Sequence, residues 1–138
     1  MAKAVQHFFY AMRYFIYPFL WALIILALCA MPGKDIPHVS WLEVLAFDKW
    51  VHAGIFFVLA VLIMRAMKFT SLRVAHFTAA LAALSFCIPY GGILEIMQGT
   101  MFADRSSDVY DFVANSAGAI LGAMLYRKLA SRISFFKQ

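Results

Sequence analysis

Charge is scarce in this chain, and negative charge is scarcer still. Of 138 residues, 14% are charged, with seven acidic against twelve basic, while 64% are hydrophobic and 17% aromatic. With a mean hydropathy of +0.81, that shortage excludes a soluble globule and places the chain in the membrane class. Repeats, low-complexity tracts and interdomain linkers are lacking, which leaves one domain over residues 1–138. Cysteine is limited to Cys29 and Cys87. Both lie in apolar stretches, so no disulfide framework is implied and both read as apolar filler. The first apolar stretch is followed by no small-x-small cleavage pattern, and Leu28 precedes Cys29 where a lipoprotein cysteine would need a small residue. That stretch is expected to be a retained helix, not a removed signal.

What is present is length of the right kind. A hydrocarbon core of about 30 Å needs roughly 20 mostly apolar residues as helix. Residues 14–31 carry no charge, and residues 74–94 carry only His76 as a titratable group. Residues 50–64 and 112–126 reach membrane length only if their helices begin near Asp48 and Asp108. The expectation is an all-α bundle of four transmembrane helices over about residues 14–31, 48–66, 74–98 and 108–126. Lys3, Arg13, Arg65, Lys68, Arg73, Arg127, Lys128, Arg132 and Lys137 then share one side, which the excess of basic residues makes cytoplasmic, with both termini. Lys34, Lys49, Arg105 and all the acidic residues fall on the other side. The basic collar suits anionic lipid headgroups, not nucleic acid.

The scarce polar residues form three clusters, Asp48-Lys49-x-x-His52, Glu95-x-x-Gln98, and Arg105-x-x-Asp108-x-x-Asp111-x-x-x-Asn115. Spacings of three and four put each set on one helix face. At 1.5 Å of rise per residue, His52 lies about 6 Å inward from Asp48, and Asn115 about 10 Å inward from Asp108. Counted from Val74, Glu95 lies at roughly 31 Å, the outer interface again. A charge facing lipid is expensive, so the three edges are expected to meet inside the bundle as a polar pocket at the outer face. Below Asn115, Gly118 and Gly122 make a Gly-x-x-x-Gly contact for another helix, within the chain or in a homo-oligomer. Pro89 and Gly91-Gly92 interrupt the third stretch, predicting a kink there, or a break with a new half-helix from Ile93. Aromatic residues at His7-Phe8-Phe9-Tyr10, the Trp41 region of the long loop over residues 32–47, and Phe135-Phe136 are expected at membrane interfaces.

The order and spacing of these residues, through Asp111-x-x-x-Asn115-x-x-Gly118-x-x-x-Gly122, resemble the VanZ-like family of small bacterial membrane proteins. The resemblance implies that Asp48, Lys49, His52, Glu95, Gln98, Arg105, Asp111 and Asn115 are the signature residues. It also implies an envelope context linked to glycopeptide, chiefly teicoplanin, resistance. The chain departs from the family pattern just before Arg105, where Ala103-Asp104 stands in place of the more typical Pro-Gly.

Three functions compete. In the preferred one, Lys49 and Arg105 hold a phosphate or pyrophosphate while apolar helices hold an acyl or prenyl chain, so the partner is an envelope lipid or a lipoglycopeptide. Asp48 and Glu95 orient the cations, His52 moves a proton or ligates, and Asp111 with Asn115 forms the floor. Five nearby carboxylates oppose an anion unless they are paired, protonated or metal-bound. In the second, an intramembrane hydrolase or transferase uses His52 and Glu95 as acid and base. No motif demands a cofactor, although His52 with Asp48, Glu95 and Asp111 is an oxygen-rich ligand set for a divalent ion. In the third, the polar groups only clasp the helices, with Lys49 and Arg105 neutralising Asp111 and Glu95. A channel or transporter fits less well, because four helices leave little room for alternating access.

Overall fold

The computed structural model describes residues 12–32, 47–70 and 74–136. Among these the chain is all-helical, with four helices. A 3-10 turn, Arg13–Phe15, leads into α1 (Ile16–Cys29), followed by α2 (Phe47–Phe69), α3 (His76–Thr100) and α4 (Val109–Arg132). A last 3-10 turn spans Ser134–Phe136. The expected interfacial segments at His7-Phe8-Phe9-Tyr10 and around Trp41 lie outside the described residues. Two helices, α2 and α3, are long and apolar enough to cross a membrane, and α1 is a shorter apolar helix.

One expectation is corrected, and of two alternatives one is set aside. The fourth helix does not end near Tyr126 but continues to Arg132. Its last turns hold Arg127, Lys128 and Arg132, which are good helix formers and are favoured by the negative end of the helix dipole. The third helix does not break at Pro89: α3 runs unbroken from His76 to Thr100. One missing amide is a local loss, and packing just after the proline offsets it. Tyr90 donates its hydroxyl to the Ala22 carbonyl of α1 at 2.7 Å, and Gly91 sits against Asn115 and the Phe56 ring. No half-helix begins at Ile93, so its amides are not turned toward a ligand.

The bundle is built around α2. Phe56, Leu59, Ala60 and Met64 are buried at its centre, against Ile25 of α1 and Ala79, Ala83 and Cys87 of α3. Trp21 of α1 donates its indole N–H to the Ile55 carbonyl at 2.9 Å. The exterior is apolar as well as the core. Met124 of α4 is 68% exposed and Ile96 of α3 is 65% exposed, while the polar Glu95, Gln98, Asp111 and Asn115 are buried. An apolar exterior with polar residues turned inward suits lipid as the solvent.

Helices α2 and α4 run in parallel and touch backbone to backbone. A Cβ at Gly118 would overlap the Ala53 carbonyl, and one at Gly122 would lie 2.6 Å from the Phe57 oxygen. The glycine face proposed for a second copy is therefore already taken by α2 of the same chain. Gly118→Ala should force α4 off α2 and destabilise the bundle by about 1–3 kcal/mol or more, seen as a lower thermal unfolding midpoint in detergent. Ala117→Gly, at an exposed neighbouring position, should change it far less.

Candidate polar site at one end of the bundle

The start of α2, the end of α3 and the start of α4 meet at one end. Lys49, in the first turn of α2, donates to Asp108 Oδ2 at 2.7 Å and to Asp111 Oδ1 at 2.6 Å. Its ammonium is thus held between two carboxylates. Asp108 is the N-cap of α4, as an Asp directly before an apolar run should be. Its Oδ1 accepts the Tyr110 amide at 2.8 Å. Its own amide donates to Glu95 Oε2 at 3.1 Å. One residue therefore ties α2, α3 and α4 together.

One turn deeper, His52 and Asn115 are both buried, with Nδ1 of the imidazole 3.1 Å from Asn115 Oδ1. With that oxygen as acceptor, Nδ1 carries the proton and Nε2 faces the other way. It lies 3.6 Å from Asp48 Oδ1 and 3.9 Å from Asp111 Oδ2. One donor atom from each of Asp48, His52 and Asp111 lies within 4.8 Å of the others, which makes this trio a candidate metal-ligand set among the described residues. Asp111 divides its oxygens, Oδ1 to Lys49 and Oδ2 toward His52.

The remaining sequence-predicted residues are arranged differently from expectation. Glu95 is 5% exposed, and its Oε1 is buried without a hydrogen-bond partner. Arg105, in the α3–α4 connection, has a buried Nε that is likewise unpartnered. Among the described residues no ion pair joins Arg105 to Glu95, so the expected neutralisation occurs at Lys49–Asp111 but not at Arg105–Glu95. Nor do Asp48 and Glu95 bond to the cations: Asp48 faces His52, and Glu95 holds the Asp108 amide. Gln98 is buried on the Glu95 face of α3. His76 is at the far end, stacked on Tyr126.

Three residues escaped the sequence reading. Asp108 was legible as a cap but not as the junction of three helices. Cys29, read as filler, is buried at the end of α1 within electrostatic reach of Arg105, Glu95, Asp48 and Asp111. Nothing in its sequence surroundings signals this. At the opposite end Arg65, assigned to the solvated collar, is buried. It donates Nε–H to the Phe135 carbonyl at 2.9 Å. The Phe135 and Phe69 rings stand 3.9 and 4.6 Å from its guanidinium carbon. Phe135, expected to dip into lipid, covers this cation instead.

The family departure before Arg105 has a structural answer. Asp104 adopts φ of +55°, the left-handed conformation that glycine takes freely and that Asp tolerates better than most residues. The position where the resemblance expects glycine thus takes a conformation that favours glycine. Asp104→Gly should stabilise the protein by about 0.5–1 kcal/mol, measured by unfolding in detergent.

These features define the class: a small all-helical membrane protein, apolar outside, whose polar side chains converge at one end of the bundle. A family model described as VanZ/LLP1 matches residues 5–133, and the chain belongs to that family. No curated protein and no solved structure matches it.

The Asp108 carboxyl is held below the usual carboxylate range, first by its bond to Lys49 and then by the Tyr110 amide. A lowered folded pKa means that its stabilisation is fully present above about 3.9 and is lost as pH falls through the folded value. Asp108→Asn keeps a capping oxygen but gives up the charge held by Lys49, so it should flatten that acid dependence. Asp108→Ala should do the same and lose about 1 kcal/mol more for the cap. Unfolding followed across acid pH checks both.

Proposed function

We propose that this protein binds the phosphorylated or glycan-bearing head of an envelope lipid at the polar end of the bundle, with the lipid tail along the apolar helix faces. The observation that carries the reading is the unpartnered pair. Arg105 Nε and Glu95 Oε1 are buried, opposite in character and unsatisfied. A buried polar atom left without a partner costs about 1–3 kcal/mol, more when it is charged. A phosphate oxygen would satisfy Arg105, and a hydroxyl or amide of the same head would donate to Glu95. Arg105 is the anion contact in this reading. Lys49, once expected to share that role, is occupied by Asp108 and Asp111 and serves as the strut that orients them.

The surroundings suit such a ligand. Four helices cross the bacterial cytoplasmic membrane with both termini in the cytoplasm and the polar end outward. The basic residues of the other end then meet inner-leaflet headgroups. A lipoglycopeptide, with a lipid tail and sugars, presents similar chemistry, and altered teicoplanin-type susceptibility follows from its capture or from sequestration of the envelope lipid. A clasp alone accounts for Lys49, His52 and Asn115, all of which have partners. It does not account for Arg105 and Glu95.

A second reading is an intramembrane hydrolase or transferase on a lipid-linked precursor. One observation favours it: the His52 imidazole faces two carboxylates at 3.6 and 3.9 Å, close enough for a small side-chain movement to bring acid and base into hydrogen-bond contact.

The test is native mass spectrometry of gently solubilised protein, comparing wild type with Arg105→Ala and Glu95→Gln of equal helicity. Wild type should retain a phosphorylated or glycan-bearing lipid, and Arg105→Ala should lose it by roughly 10- to 100-fold, as expected for one charged hydrogen-bonded contact. Equal retention by Arg105→Ala would remove the reading. Appearance of a cleaved or transferred head group, abolished by His52→Ala, would move the assignment to the enzyme.

A further inference from the structure

The local charge does not balance. Asp48, Glu95, Asp108 and Asp111 gather around two cations, Lys49 and Arg105, and only Lys49 is in contact with carboxylates. Carboxylates next to lipid need compensation. The orientation of His52 sharpens the problem. With Nδ1–H given to Asn115, Nε2 turns a lone pair toward Asp48 and Asp111. A lone pair facing two carboxylates is repulsive unless a positive charge lies between them.

Nε2 lies 3.6 Å from one carboxylate and 3.9 Å from the other, outside direct hydrogen-bond distance of either. Two ligands bonded to one ion at 2.0–2.2 Å lie roughly 3 to 4.4 Å apart, and both separations fall in that range. Beside the trio, Glu95 of α3 is 5% exposed and its Oε1 is buried without a hydrogen-bond partner, a further carboxylate at the same end of the bundle.

We infer that Asp48, His52 and Asp111 form a binding site for one divalent cation of the Zn2+ or Mn2+ class, the choice that one imidazole and two carboxylates favour. Asn115 fixes the imidazole tautomer through Nδ1, and Lys49 fixes the Asp111 carboxylate through Oδ1. These are the outer partners that metal ligands need in order to hold their direction. Three protein ligands leave positions open for an oxygen of a further ligand. The inference goes beyond the lipid reading and does not need it: the site is defined by its own ligands and is measurable with the ion alone.

The experiment is titration of chelator-stripped, detergent-solubilised protein with Zn2+ alone and Mn2+ alone, by calorimetry and by metal analysis after desalting. Wild type should take up one ion per chain, and His52→Ala should bind at least tenfold more weakly. Asp48→Asn is the decisive variant, because the Asp48 side chain is 62% exposed and an amide of the same shape can still bond to the neighbouring Asp111 carboxylate, so the substitution should leave the fold intact. It too should weaken binding at least tenfold. Arg105→Ala should bind the ion as wild type does, which separates this site from the lipid reading: ion uptake without lipid retention keeps the site and sinks the lipid, and the reverse does the opposite. No saturable uptake by folded wild type, or equal uptake by Asp48→Asn, would overturn the inference.

Discussion

The contact on which the rest depends is the backbone approach of α4 to α2 at Gly118 and Ala53. Because the two helices are parallel, their residue numbers rise together along the seam. Lys49 meets Asp111, His52 meets Asn115, Ala53 meets Gly118 and Phe57 meets Gly122. A shift of one helical turn, about 5.4 Å, would separate every one of these pairs. Two glycines with no chemistry of their own therefore set the register of the polar cluster. Lipid tails supply no hydrophobic force between helices, so close packing of small residues is the means available for fixing that register.

The two ends of the bundle solve the burial of charge in different ways. At one end Arg65 is buried among the rings of Tyr17, Phe69 and Phe135, and its Nε finds the Phe135 carbonyl. Ring faces and a carbonyl stabilise a cation without offering a mobile charge to anything else, so this end is closed and tethers the segment after α4. The other end holds carboxylates, an imidazole, a lysine and an arginine, some matched and some not. A structural role is enough to explain the first arrangement but not the second.

Much of this was legible in the sequence, for physical reasons. Helical spacing put Asp48 with His52, Glu95 with Gln98, and Asp111 with Asn115 on common faces, and rise per residue brought the three sets to one level. Those arguments use only helix geometry, which tertiary packing does not alter. What they cannot supply is the pairing between helices. That Lys49 faces Asp108 and Asp111, while Arg105 forms no ion pair among the described residues, depends on a register set by Gly118 and Gly122. Cys29 joins the cluster only through the placement of α1, for which the chain carries no polar marker. Pro89 left a kink and a break both open, because the choice depends on contacts that Tyr90 and Gly91 of α3 make with other helices. The extension of α4 past Tyr126 was missed because apolarity marks where a helix leaves the membrane, not where it ends.

The distribution of satisfied and unsatisfied groups separates scaffold from site. Lys49, Asp108 and Asn115 have their hydrogen bonds, and each bond joins different helices or caps one, as structural polar groups should. Arg105, Glu95 Oε1 and His52 Nε2 have none of comparable quality. They occupy the same end and differ in what they seek: a donor seeking an anion, an acceptor seeking a donor, and a lone pair seeking a cation. Among the described residues Arg105 and Glu95 form no ion pair with each other, and one atom of each is buried without a partner. Their failure to pair has a free-energy cost inside an apolar bundle. A ligand carrying both polarities would recover it, with an ion beside it to balance the remaining carboxylates.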